Sequence, residues 1–214
     1  MAWDFYICSV LRKIPFIKPM APTLARTPPS GPDWFHEVKF DGWRVQVHLE
    51  QREARIYSKG GADYTKRFRA LRPTLSSIPV KSAVIDCELV ACDERGMPDF
   101  RTLMELGGRA PLCLWCFDLL YLNGVRFMPA PIEQRRAILA DIVALGDTQH
   151  LQFSGDFDDP IKLLATCERM NLEGIVSKRR GSAYRSGPTD EWLKTKTVTW
   201  RASNRNRWEM FQKR

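Results

Sequence analysis

No apolar run in the sequence approaches the roughly 20 residues that cross a bilayer, which excludes a spanning helix. The opening MAWDFYICSVLRK places Asp4, rather than a basic segment, ahead of a short apolar stretch. It does not read as a secretory signal, so the expected localisation is cytoplasmic. Histidine is scarce: His36, His48 and His150 stand far apart. Of the cysteines at 8, 87, 92, 113, 116 and 167, Cys113 and Cys116 have the spacing of half a zinc site. They lie in an apolar run that reads as a strand, where side chains three apart point to opposite faces, so structural thiols are expected rather than a metal site or disulfides. Repeats and low-complexity tracts are absent. The glycine pairs at 60–61 and 107–108 lack the spacing of a dinucleotide or P-loop fingerprint.

What remains is a chain of 214 residues, 44% apolar, enough for one domain with extensions. Lys and Arg outnumber Asp and Glu by 33 to 25, for a formal charge of +8. An excess of this size suits a polyanionic partner and equally a soluble basic protein.

Pro15, Pro19, Pro22, Pro28, Pro29 and Pro32 make the lead-in extended rather than helical. WRVQVHLE then alternates, Trp43, Val45, Val47 and Leu49 against Arg44, Gln46, His48 and Glu50, as a half-buried strand does. EVKF precedes it, and Asp41-Gly42 between the two reads as a hairpin turn. ARIYSKG is a third strand. DYTKRFRALRPTLSSI is a helix broken near Pro73. SAVIDCELVAC and LCLWCFDLLYL are apolar strands, the second ending at the Asn123-Gly124 turn. Pro131 opens the helix PIEQRRAILADIVAL. DPIKLLATCERM repeats apolar groups at Leu163, Cys167 and Met170, as a helix does. GIVSK and EWLKTKT are strands, and residues 200–214 form a basic tail read as an amphipathic helix, with binding of nucleic acid or a partner as the alternative. The expected fold is α+β, with antiparallel sheets flanked by helices. The division is 1–14 as an extension, 15–199 as the main domain and 200–214 as the tail.

If 37–41 is extended, Glu37, Lys39 and Asp41 share a face while Val38 and Phe40 turn to the core. Asp86 and Glu88 interrupt another apolar strand on one face. Glu173 introduces GIVSK, in which Lys178 follows, and Lys194 and Lys196 lie two apart. A charge buried in a strand is costly unless paired. Singly, each pair fits an edge strand or a local ion pair. Jointly, carboxylates suited to a divalent metal and lysines suited to phosphate are what nucleotidyl transfer needs.

In order and spelling, KFDGWR, YSKGG, DCEL, FDLLYLNG, EGIVSK and WLKTK resemble the successive motifs of the lysine-dependent nucleotidyltransferases: ATP-dependent DNA ligases, with RNA ligases and mRNA capping enzymes as cousins. PFIKPMAPTLARTPPSGPDWFHEVKFDGWR and SAYRSGPTDEWLKTK bring the resemblance closest to the ligase domains and small ligases of bacterial end-joining systems, over about residues 15–200. The resemblance implies a nucleotidyltransferase (ligase adenylation domain) fold, ATP with Mg²⁺ (or Mn²⁺), nicked or broken DNA as partner, no membrane, and a role in DNA repair. Lys39 is then the nucleophile that takes AMP, passing it to the 5′-phosphate of a break, with Asp41 supporting later steps. Neighbouring Lys194 and Lys196, Mg²⁺ and partial burial are expected to favour the neutral amine.

The same resemblance implies that Glu37 reads the adenine amino group and Phe117 stacks on the base. Arg44 contacts ribose or the nick phosphate. Glu88 and Glu173 bind ribose or metal, Lys194 and Lys196 grip the α-phosphate, and Lys178 closes its motif or pairs locally. Arg44 and Lys59 are the implied DNA contacts. Three departures stand out. Ser58-Lys59 replaces a Ser-Arg dipeptide, losing a planar fork for phosphate. Cys87 replaces a glycine. Only 18 residues follow Lys196, too few for the OB barrel of complete ligases, so slow ATP-driven charging is expected, and a protein supplying that barrel is a candidate partner. Alternative readings are an RNA ligase, or a non-catalytic DNA-binding protein that kept the scaffold. NAD⁺-dependent ligases resemble the chain less.

Overall fold

The computed structural model describes residues 14–94, 97–147 and 149–204. Within them the strands form two sheets. The first combines β1 (Met20–Leu24), β2 (Trp34–Lys39), β9 (Gly174–Arg179) and β10 (Gly187–Lys196) in the order β1-β10-β9-β2. The second runs β4 (Glu53–Ser58), β3 (Trp43–Glu50), β5 (Ser82–Ala91), β6 (Leu112–Leu122), β7 (Val125–Arg126), with β8 (Leu151–Phe153) also on β6. Most pairs are antiparallel, as expected, but β1 runs parallel to β10 and β8 parallel to β6, so both sheets are mixed. The first of these joins the proline-rich lead-in to the end of the described chain. Local sequence pattern carries no sign of such a partner.

Asp41-Gly42 does not close a hairpin. β2 belongs to the first sheet and β3 to the second, and the two residues carry the chain across. Gly42 is required for another reason: a Cβ there would lie 2.3 Å from the Leu89 carbonyl oxygen of β5. Nor is β3 half-buried. Gln46 and His48 on its polar face are as buried as Val45 and Val47. The lead-in covers them, with Ile17 N–H donating to Gln46 Oε1 at 3.0 Å and Gln46 Nε2 donating back to the Ile17 carbonyl at 2.9 Å.

One apolar core, including Val45, Val47, Ile85, Cys87, Leu89 and Leu114, fills the outer face of the second sheet. Over it lie α1 (Arg72–Ser76), α2 (Phe100–Leu106) and α3 (Ile132–Ala144). A second core, with Met20, Phe35, Val84, Leu120, Tyr184 and Trp192, joins the two sheets. A third places Leu163 and Cys167 of α4 (Pro160–Arg169) against Ile175. Asp159 caps α4 by accepting from the Ile161 and Lys162 amides, which satisfies two donors of its open first turn.

Two helix expectations change. Pro131 is the cap before α3, with extended ψ of 143°, rather than its first residue. The long helix around Pro73 reduces to a 3₁₀ turn, Arg69–Leu71, and α1, where Pro73 sits in the first turn; there its missing N–H costs nothing. Val38 and Phe40 are half-buried rather than in the core. They line a groove on the outer side of β2 with Trp115 and α4, Phe40 stacking on Trp115 at 4.2 Å. Among the described residues no group of three or more His, Cys, Asp and Glu is set to hold a metal, and no helix is long and apolar enough to cross a membrane.

Candidate active site

The ends of β2 and β10 flank the start of β9, with Lys39 and Lys196 both in register with Gly174. Glu173, immediately before it, therefore falls between two lysines: Lys39 Nζ lies 2.7 Å from one carboxylate oxygen and Lys196 Nζ 3.1 Å from the other. Gly174 permits this closeness. Its φ is 152°, and a Cβ there would stand 2.1 Å from the Thr195 carbonyl oxygen. Glu88 faces the same cluster from β5. Thus Lys39, Glu88, Glu173, Lys194 and Lys196, far apart in the chain, meet where the two sheets join.

The electrostatics correct one expectation. Burial pulls the Lys39 ammonium down, but Glu173, Glu88 and Asp41 outweigh it, and the net shift is upward. Lys39 is therefore held charged, not neutral. Within this cluster it is Lys194 that is depressed, lowered first by burial and then by the cations of Lys39, Lys196 and Lys59. Burial, with Glu173 and Asp86 as like charges, pushes Glu88 up to about 7, against the pull of Lys39 and Arg44.

Two further clusters adjoin this one. Glu37 is buried, accepting from Arg136 Nη1 at 2.5 Å, Lys178 Nζ at 2.6 Å and Ser154 Oγ at 2.9 Å. Burial lowers Lys178 to about 8, although Glu37 opposes the shift. Its ammonium also lies over Phe117 and Trp192, at 4.8 and 4.4 Å from the ring centres. Phe117 is the unpaired residue of a bulge in β6, since Asp118 pairs with Asp86 and Cys116 with Cys87; a bulge re-aims the side chain it carries. Arg44 forks onto Asp86 at 3.0 and 2.7 Å and donates to the Met20 carbonyl at 2.6 Å. The Tyr184 hydroxyl donates to the same Asp86 at 2.6 Å. Lys59 is exposed in the turn after β4. Cys87 turns into the outer core, and its backbone is not at positive φ.

Sequence reasoning missed Arg136, Ser154, Tyr184 and Trp200. Arg135 and Arg136, adjacent on α3, are both buried. Trp200 lies on α5 (Val198–Ser203), within the basic tail; residues 205–214 of that tail, and 1–13 of the expected extension, are outside the described residues.

As metal ligands, Glu88 and Glu173 suit Mg²⁺, which takes one or two carboxylates and completes its shell with water and substrate phosphates. A carboxylate held near 7 by burial and like charge is one that a divalent cation would relieve.

Two sheets joined by an apolar core, with a lysine–carboxylate cluster at their junction, form the nucleotidyltransferase fold. The chain belongs to the ATP-dependent DNA ligase domain family, whose profile matches residues 17–196. It is similar to the multifunctional non-homologous end joining protein LigD of Pseudomonas aeruginosa, 36% identical over 185 residues, covering 85% of this chain and 22% of that protein. A DNA ligase of Thermococcus onnurineus is 30% identical over 203 residues, 84% of this chain and 36% of that one. Among solved structures, mycobacterial DNA ligase D complexed with ATP and MES superposes with a TM-score of 0.75 at 27% identity, over 84% of this chain and 60% of that one. An archaeal ATP-dependent RNA ligase, at 20% identity and a TM-score of 0.53, shares the fold.

Proposed function

We propose that the chain is the catalytic core of an ATP-dependent DNA ligase acting in break repair, with residues 15–199 as the adenylation domain and 200–214 as a basic tail. The observation that carries this reading is Lys39 paired at 2.7 Å with Glu173 beside Lys196. Lys39 starts as an ammonium. Its proton passes by way of the adjoining Glu173 carboxylate to water, leaving Glu173 ionised, as phosphate oxygens draw Lys194 and Lys196 to themselves. The freed amine then attacks the α-phosphorus of ATP: the N–P bond forms, the bond from that phosphorus to the bridging oxygen breaks, and pyrophosphate leaves. Lys194 and Lys196 balance charge building on the phosphoryl oxygens. Glu88 and Glu173 would hold Mg²⁺, which would supply further neutralisation of phosphate charge.

Phe117 offers a face to adenine. Glu37, with three of about four acceptor positions occupied, keeps one for the amino group. Arg44 contacts ribose or the nick phosphate once loosened from Asp86. Lys59, exposed on the same side as Lys194, contacts DNA. The AMP then moves to the 5′-phosphate of the break, and the 3′-hydroxyl displaces it.

Incubating the 214-residue chain with ATP and Mg²⁺ and weighing it intact tests the reading. An AMP adduct is expected, mapped to Lys39 and absent from Lys39→Ala. DNA binding that is unchanged by that substitution, with no adduct, favours the non-catalytic alternative. Preference for nicked RNA over nicked DNA duplexes favours the RNA ligase.

A further inference from the structure

Helix α5 buries none of its residues, so apolar packing does not explain why it lies against the body. It is fastened by polar groups instead. Thr197 caps it, its side chain accepting from the Trp200 amide at 3.4 Å and donating to the Leu172 carbonyl at 2.9 Å. Glu168 of α4 accepts from the Val198 and Thr199 amides at 2.7 and 2.9 Å, and from the Thr199 hydroxyl. These bonds fix the first turn of a helix whose one large aromatic, Trp200, turns back toward the lysine cluster. The indole Nε1 donates to Asp41 Oδ2 at 3.2 Å, and the ring lies under the Lys196 ammonium, 3.7 Å from its centre.

We propose that Trp200 is a positioning residue for nucleotidyl transfer, its N–H orienting Asp41 and its ring face holding Lys196 beside Glu173. The argument rests on the function proposed above. A single side chain bridges Asp41, in the crossing from β2 to β3, and Lys196, at the end of β10, one through a hydrogen bond and the other through the negative face of its ring. An ammonium held over an aromatic face keeps its charge but loses freedom, as a group that must meet a phosphate oxygen requires. With its N–H on Asp41 and its ring under Lys196, Trp200 acts through these two residues.

The two contacts can be separated in the full chain. Trp200→Phe keeps a ring and deletes the N–H, while Trp200→Leu deletes both. Glu168→Ala loosens α5 with Trp200 intact. Two readouts are paired: the single-turnover rate of Lys39 charging as a function of ATP concentration, and competitive acetylation of Lys196 without nucleotide, read by peptide mass. Trp200→Leu is expected to slow the charging step about tenfold, the scale of effect of misplaced reacting groups, with little change in half-saturating ATP. Its Lys196 should acetylate several-fold faster. Trp200→Phe should recover most of the Lys196 protection and only part of the rate, and Glu168→Ala should shift both readouts in the direction of the leucine variant.

Wild-type charging and acetylation in Trp200→Leu, or a phenylalanine variant no better than leucine, overturns the proposal. If Trp200→Leu proves unfolded, the phenylalanine and Glu168 variants decide it. If the wild-type chain never charges Lys39, the proposed function fails, and the acetylation readout alone then decides whether Trp200 holds Lys196.

Discussion

Asp118 and Arg135 are both fully buried and saturate one another, whereas Lys39 and Lys196, on either side of the buried Glu173, are left partly open. Asp118 takes Arg135 Nε and Nη2 at 2.7 and 2.9 Å, and the Leu119 amide at 2.9 Å. The remaining end of the guanidinium donates to the Ala130 and Ser182 carbonyls at 2.6 and 2.9 Å. That pair has little left to offer a ligand and ties α3 to β6. The lysine cluster is built differently. The Lys39 side chain keeps 21% of its surface exposed, two cations share one carboxylate, and Glu88 stands beside them with its charge disfavoured. Both clusters place charges in strands, where desolvation is expensive, but only the second keeps its charges exchangeable. The contrast gives a physical criterion for separating a structural ion pair from a site: closure of the hydrogen bonds, rather than burial.

If that criterion holds, the closed pair should matter most for stability. Asp118→Asn leaves Arg135 buried without its counter-charge and should cost about 3–5 kcal/mol, measured by urea unfolding. A loss below about 1 kcal/mol would place this pair with ordinary surface salt bridges and break the comparison.

The next effect concerns Lys39. Because carboxylates hold its ammonium above the ordinary lysine range, the neutral amine is scarce near neutrality. The kcat/KM for self-adenylylation, which reports the free enzyme, should climb by up to about tenfold per pH unit between about pH 7 and pH 9. A plateau already present at pH 7 would mean that the cations dominate instead.

The smallest effect is on stability through Glu88. Its folded pKa of about 7 exceeds the ordinary 4.5, so between those values the folded state binds the proton more readily than the unfolded one. The stabilisation from this proton is complete below about 4.5 and is lost as pH rises through about 7. Glu88→Gln, which has no such proton to lose, should therefore gain on the wild type by about 1–2 kcal/mol between acidic and neutral pH, after discounting for partial exposure. Parallel urea midpoints for the two proteins across that range would show the carboxylate to be unperturbed.

Much of this site was legible before any coordinates. Alternation placed Asp86 beside Glu88 and Lys194 beside Lys196 on common strand faces, and both pairs do share those faces. Asp41-Gly42 was misread because a turn dipeptide reports local backbone freedom. The approach of Gly42 to Leu89, a residue of another strand, has no local trace. Arg136 escaped notice for a similar reason, since a helical arginine is ordinarily solvated and its partner Glu37 lies 99 residues away. Trp200 looked like part of a basic tail, and its contacts with Asp41 and Lys196 depend on where α5 docks.

By itself the sequence determined which strands carry charge, which face those charges share, and, through the spelling of its motifs, the family. These properties follow from side-chain period and chemical type, and both are written locally. Tertiary structure alone decided the protonation preference of Lys39, the pairing of Glu37 with Arg136 and Lys178, and the fastening of Trp200 under Lys196. Each is a balance between desolvation and a partner brought from a distant segment, and that balance is undefined until the two sheets have packed.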